Sequence, residues 1–257
     1  MIYVISTIIA FAAAFIGSLV GMGGGVILIP SLLFLHQYSD MFSWATPQVI
    51  VGLSLISMVF TAFSSTLSYY KNDRIHVKIG LLFLTGSIPG SVLGAWLNQF
   101  VNADYFSLYF GFLMIALSFV FLIKKKQQTN AEPLRTNNPI VSVFFISLIV
   151  GIISGLFGIG GGSIIVPAMI FLFGLSIHTA AATSMFIILF ISIISAITHI
   201  VLGHVAWAYV LLFVLGAWIG GTTGAKVNQL INSNILEWIL RLLLIVVGIR
   251  LIIEGMM

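Results

Sequence analysis

From Arg135 to Lys226 this chain carries no Asp, Glu, Lys or Arg, and none precedes Asp40. Soluble domains place charge on about a quarter of their residues. Here the share is 6%, against 60% hydrophobic residues and a mean hydropathy of +1.21. Most of the chain must therefore be solvated by hydrocarbon. In a bilayer every backbone N–H and C=O has to be bonded internally, which leaves helices and closed barrels. Barrel strands alternate apolar residues with polar ones toward a lumen, whereas these segments are apolar all round. The chain reads as an all-α polytopic membrane protein.

Apolar runs fall at 2–36, 46–70, 77–98, 104–123, 139–175, 178–202, 205–226 and 234–253. Most suffice to cross a hydrocarbon core of about 30 Å. Two overrun it: at about 1.5 Å per residue, 2–36 would be a helix of roughly 50 Å, and 139–175 overshoots similarly. Each contains a glycine-rich break, GMGGGVILIP at Gly21–Pro30 and GIGGGSIIVP at Gly158–Pro167. Glycine costs about 1 kcal/mol relative to alanine inside a helix. Three in a row mark where the helix stops and turns, so eight main segments become up to ten membrane helices.

The two breaks belong to an internal repeat. At an offset of 137, Ser18–Pro30 matches Gly155–Pro167 at seven of thirteen positions, the four motif glycines and the proline included. At an offset of 130, Gly86, Gly90, Gly94 and Asn98 match Gly216, Gly220, Gly224 and Asn228, and Gly52-Leu53-Ser54 aligns with Ala182-Thr183-Ser184. The chain divides into a first transmembrane repeat, 1–123, a basic linker, 124–138, and a second repeat, 139–257. Basic residues switch between equivalent loops. Loop 71–78 carries Lys71, Arg74 and Lys78 while its counterpart Val201–Ala206 has none; loop 99–103 has none while its counterpart has Lys226. Under the positive-inside rule that switch is expected of inverted halves. Inversion needs an odd number of crossings, supplied if 24–36 and 163–175 turn back as short helices. It is preferred to four crossings per half with parallel halves. Lys124, Lys125, Lys126 and Arg135 place the linker in the cytoplasm.

The net charge of +4 and pI near 9.5 are thus accounted for by loops, and nucleic acid is not an expected partner. With no cysteine, disulfides and thiolate metal sites are excluded. The first twenty residues lack the basic start of a signal peptide, and their counterpart at 139–157 lies mid-chain, so they are read as mature structure. Localisation in the cytoplasmic membrane as a multi-pass protein follows. No cofactor is implied, no His, Asp and Glu cluster has metal spacing, and no nucleophile has a base beside it. The chain does not read as an enzyme.

Residues four apart share a helix face, so Gly86/Gly90/Gly94 and Gly216/Gly220/Gly224 are stripes for close packing, with a sliding surface as the alternative. Asn98 and Asn228 are expected to terminate those helices. The triple glycines, Gly23, Gly24 and Gly25 with Gly160, Gly161 and Gly162, have two readings. One is a tight turn. The other is an anion site, because a short helix starting there offers free N–H groups and its positive dipole end. Gly24→Ala or Gly161→Ala separates the two, provided the backbone angles tolerate a Cβ. Ser163 adds a hydroxyl in the second half where the first has Val26. Polar residues inside spans are candidates in their own right: Ser54, Thr183 and Ser184 as anion-facing hydroxyls, and His199 as a proton-accepting or anion-facing group. The bland readings are serines bonded to their own helix and a histidine satisfied near a helix end. With no carboxylate at a span centre, Asp/Glu proton relays are disfavoured.

At these residues the chain resembles the sulfite exporter TauE/SafE family of membrane permeases. The resemblance rests on the signatures at Ser18–Pro30 and Gly155–Pro167, on Thr183–Ser184 with the aligned Leu53–Ser54, and on the Gly-x₃-Gly helices, and it spans essentially the whole chain. It implies a secondary transporter, most directly an exporter of sulfite or an organosulfonate across the cytoplasmic membrane, driven by the membrane potential. Alternatives are a small-anion channel and a non-transporting assembly partner. The partners expected are a small anion, the lipid bilayer and, left open, a second copy of the chain as a homo-oligomer.

Overall fold

The computed structural model describes residues 2–101, 103–122 and 139–256; the linker 124–138 lies outside them. All regular structure among the described residues is helical. The α-helices are α1 (Ile2–Val20), α2 (Gly25–Tyr38), α3 (Pro47–Tyr70), α4 (Val77–Asn98), α5 (Ala103–Leu122), α6 (Pro139–Phe157), α7 (Gly162–Phe173), α8 (Ile177–Val201), α9 (Trp207–Asn228) and α10 (Ser233–Met256). A single 3₁₀ turn, Asp40–Phe42, follows α2.

The helix ends follow local chemistry. Pro47 opens α3 at a position where its missing N–H costs nothing. The Ser176 hydroxyl caps α8 by accepting from the Thr179 N–H at 3.2 Å. Gly174 closes α7 in the left-handed region, φ 66°. Five helices among the described residues, α1, α3, α4, α8 and α9, are long and apolar enough to cross a membrane. At 14 and 12 residues, α2 and α7 are too short to cross a core of about 30 Å.

Packing partners are exchanged along the chain. α1 lies on α9, α4 on α6, α5 on α10, and α3 packs against both α8 and α9, with α8 also touching α4. The glycine stripes make the two closest seams. A Cβ on Gly86, Gly90 or Gly94 would run into the carbonyl oxygens of Phe144, Leu148 and Ile152 on α6. A Cβ on Gly216, Gly220 or Gly224 would do the same to those of Thr7, Phe11 and Phe15 on α1. Backbones this close leave no room for side chains, which is what small residues permit between membrane helices. Asn98 and Asn228 end α4 and α9 and lock the seams: their side-chain N–H groups donate to the carbonyls of Leu156 at 2.7 Å and Leu19 at 2.6 Å.

Direction along the bundle is fixed by two contacts. Lys71, just after α3, and Lys226, in the last turn of α9, line one recess, so α3 and α9 end on the same rim. At the other rim Gly52, early in α3, abuts the carbonyl of His204, just after α8.

Candidate functional site

Between α1 and α2 the chain passes through Gly21, Gly23 and Gly24 at φ 81°, 81° and 94°; between α6 and α7, Gly158, Gly160 and Gly161 stand at 69°, 76° and 74°. These left-handed angles are costly for any residue with a Cβ. The N–H groups of Met22 and Gly23 both donate to the Gly17 carbonyl, at 2.7 and 3.2 Å, and the chain doubles back. Gly24 consequently packs on Ala13, with only 2.9 Å between a Cβ added there and the Ala13 carbonyl. Ala13 lies about 10 Å before the end of α1 at the α-helical rise, so the turn is tucked inside the depth of the bundle.

The two turns meet. Gly25, the first residue of α2, sits against the carbonyl of Gly158, and Gly162, the first residue of α7, against that of Gly21. Each of those carbonyls accepts a hydrogen bond from a buried serine: Ser54 Oγ donates to Gly158 O at 3.0 Å, and Ser184 Oγ to Gly21 O at 2.6 Å. A serine of each half thus holds the glycine turn of the other. The space over Gly23 and Gly160 is filled by the same two buried side chains, Met58 and Ile188. Residues 58 and 188 are an offset-130 pair whose apolar character drew no attention in the sequence.

Around the start of α7 polar groups are left without partners. The N–H groups of Gly162 and Ser163 have no acceptor among the described residues, and neither do those of Gly25 and Val26 at the start of α2. Ser163 Oγ is buried and unbonded, and so is Ser154 Oγ on α6. Ser154 is next to the turn: its Cβ lies 3.5 Å from where a Cβ on Gly161 would stand. Sequence reasoning missed Ser154. Its signal was the repeat itself, since the aligned residue in the first half is Gly17. The second turn therefore carries two unpartnered hydroxyls where the first has Gly17 and Val26.

The expected site residues divide accordingly. Gly23, Gly24, Gly25, Ser54, Gly160, Gly161, Gly162, Ser163 and Ser184 come together at the crossing of the turns. Thr183 faces elsewhere, its Oγ1 accepting from the His76 N–H at 2.9 Å. His199, fifteen residues beyond Ser184, is about 22 Å away along α8. Its Nε2 is 3.4 Å from the Gly155 carbonyl and its Nδ1 3.2 Å from Nδ1 of His204. With Nε2–H donating to the carbonyl, a neutral His199 accepts at Nδ1, and His204 supplies the shared proton. Burial lowers the pKa of His204, in the loop after α8. Tyr69 is the offset-130 counterpart of His199 and makes the matching contact, its hydroxyl donating to the Ser18 carbonyl at 3.0 Å. The Gly24→Ala and Gly161→Ala tests lose their condition, because both residues hold left-handed angles.

A bundle of membrane-length helices with paired glycine turns at its heart defines a multi-pass helical membrane protein. The model of the sulfite exporter TauE/SafE family matches residues 6–251, and the chain belongs to that family. It is 40% identical to the probable membrane transporter protein YunE of Bacillus subtilis (strain 168), over 99% of both chains. The probable membrane transporter protein YdhB of the same organism is 28% identical, over 90% of this chain and 92% of its own. The probable membrane transporter protein ORF9 of Sinorhizobium sp is also 28% identical, over 95% of this chain and 89% of its own. No solved structure matches.

Proposed function

We propose that the chain is a secondary transporter of small anions, an exporter of sulfite or a related organosulfur anion, with its binding site at the start of α7. The observation that carries this is the convergence of the free Gly162 and Ser163 N–H groups with the unpartnered hydroxyls of Ser163 and Ser154. An anion leaving water needs compensating charge or hydrogen bonds. No Lys or Arg is fully buried among the described residues, and at the glycine turns helix N-termini and hydroxyls are the donors on hand. Ser54 and Ser184 serve the site indirectly, by holding the turns. Met58 and Ile188 close the space above the glycines, and passage requires them to part. A membrane potential negative inside favours anion exit by about 2.3 kcal/mol per charge per 100 mV.

The test is sulfite flux in proteoliposomes. Flux is expected to saturate with concentration. Ser163→Ala and Ser154→Ala, which leave the backbone untouched, are each expected to raise KM roughly 10- to 150-fold, as loss of one hydrogen bond to a charged group, worth about 1.5–3 kcal/mol, predicts. Non-saturating flux points to a channel, and absence of flux for sulfite and organosulfonates refutes the transport reading.

The halves are further proposed to be inverted repeats. Lys71 and Lys226 meet on one rim although they sit in non-equivalent loops, which supports opposite orientations for equivalent helices α4 and α9. The chain has no cysteine, so single cysteines at Asn72 and Gly203 are unambiguous reporters. They are expected to react with impermeant reagents from opposite faces of the membrane; labelling from the same face contradicts the inversion.

A further inference from the structure

We infer that the recess between the ends of α3 and α9 is a binding site for the headgroup of an anionic phospholipid. The recess encloses about 530 Å³ and has two unlike walls. One is cationic and polar. Lys71 and Lys226 both line it, and neither forms an ion pair with another described residue. Asn72 and Gln229 each donate one amide N–H to a backbone carbonyl, of Ser68 at 2.9 Å and of Ala225 at 3.2 Å. Both residues line the recess, and their amide oxygens accept no hydrogen bond from another described residue. The other wall is apolar and open to the bilayer: Leu67, Trp218 and Leu230 are 45%, 41% and 85% exposed.

This combination selects one ligand chemistry. Two ammonium groups suit a phosphate, and amide oxygens accept from the hydroxyls of a glycerol headgroup. Leu67 and Trp218 offer a surface for the acyl chain. A free inorganic oxyanion meets only the first of these demands. It would also leave the cavity mostly empty, being a few times the size of one water at about 30 Å³. The rim is the one that gathers the basic loop residues, which the positive-inside rule puts on the cytoplasmic side, where anionic lipids concentrate juxtamembrane lysines. The site does not depend on what the protein transports. It places a fixed lipid across α3 and α9, one helix from each half.

The protein, purified in a neutral detergent, is titrated with short-chain phosphatidylglycerol, short-chain phosphatidylcholine and inorganic phosphate, and Kd is read from the shift in thermal unfolding. Phosphatidylglycerol is expected to bind, and the other two to give no shift at the same concentration. K71Q/K226Q is expected to weaken phosphatidylglycerol roughly 30-fold, with the single variants intermediate. K71R/K226R is expected to restore much of the binding. Lys78→Gln removes a lysine from the same rim outside the recess and is expected to leave Kd within about twofold. Undiminished binding by K71Q/K226Q overturns the assignment. So does an equal loss in Lys78→Gln, which would reduce the effect to diffuse surface charge. Inorganic phosphate binding as tightly as the lipid also overturns it, in favour of a free-anion site. Unfolding of each variant without lipid checks that it is folded before binding is read.

Discussion

Gly162→Ala and Gly25→Ala are expected to cost the protein a large fraction of its stability, although each adds one methyl group. Neither residue is among those with left-handed angles, so the damage is spatial. A Cβ on Gly162 would come within 2.6 Å of Met22 Cα and closer still to the Gly21 carbonyl. One on Gly25 would strike the Gly158 carbonyl and stand 3.0 Å from Ser54 Oγ. The obstacles are backbone atoms of the opposite turn, and those turns are held by Ser184 and Ser54. To admit the methyl group the turn must move and release its serine. Overpacking costs about 1–3 kcal/mol, and a buried carbonyl left unbonded costs about 1–3 more. Together these come to about 2–6 kcal/mol, a large fraction of the stability of a typical domain, about 5–15 kcal/mol.

Two comparisons isolate the cause. Ser54→Ala removes a clasp hydrogen bond without adding bulk and should cost about 1–3 kcal/mol. Gly203→Ala adds a methyl at φ 77° with nothing within 4 Å, so only the left-handed strain of about 1–2 kcal/mol applies. Unfolding in detergent should rank Gly162→Ala well below both. Equal stability of Gly162→Ala and Gly203→Ala would show that the turns are not in contact.

What could be read from the sequence was what glycine, proline and charge announce. The breaks after Val20 and Phe157, the lengths of the membrane helices and the ends of α4 and α9 at Asn98 and Asn228 were legible because each has a local chemical mark. The direction in which a buried side chain points was not. A helix that is apolar all round has no amphipathic stripe from which to read its inward face. For that reason Thr183 and Ser184 looked alike, yet one bonds the loop before α4 and the other bonds Gly21. His199 could be read either as an anion-facing group or as a histidine satisfied near a helix end, and it stands bonded at the far end of α8. The Ser154 hydroxyl was overlooked because serine in an apolar helix usually bonds its own backbone. In the structure it bonds no described group. Likewise the stripes promised close packing without saying against what, and the partners of α4 and α9 proved to be α6 and α1.

That exchange underlies the second large effect. Gly90→Leu and Gly220→Leu are expected to prevent stable folding. At both positions even a Cβ overlaps a backbone oxygen, Leu148 on α6 for Gly90 and Phe11 on α1 for Gly220. A leucine therefore forces the helix axes apart along the seam. The loss is not confined to one site: neighbouring glycines at 86 and 94, or 216 and 224, leave contact with their carbonyls too, along with the weak Cα–H···O interactions such contacts supply. Nor can hydrocarbon compensate, since lipid tails solvate a separated apolar helix as well as another helix does, and close packing is what binds membrane helices together. Val92 is 41% exposed on the same helix as Gly90, so Val92→Leu makes a similar residue on the open face and should unfold like the parent. Because the seams join α4 to α6 and α9 to α1, helices far apart in the chain, either leucine should destabilise the whole chain and not one segment of it. Limited proteolysis in detergent can read this directly. Gly90→Leu should expose sites in both 2–101 and 139–256 together. Cleavage confined to 2–101 would mean that this segment and 139–256 fold as separate bodies, and that the α4–α6 seam does not bind them.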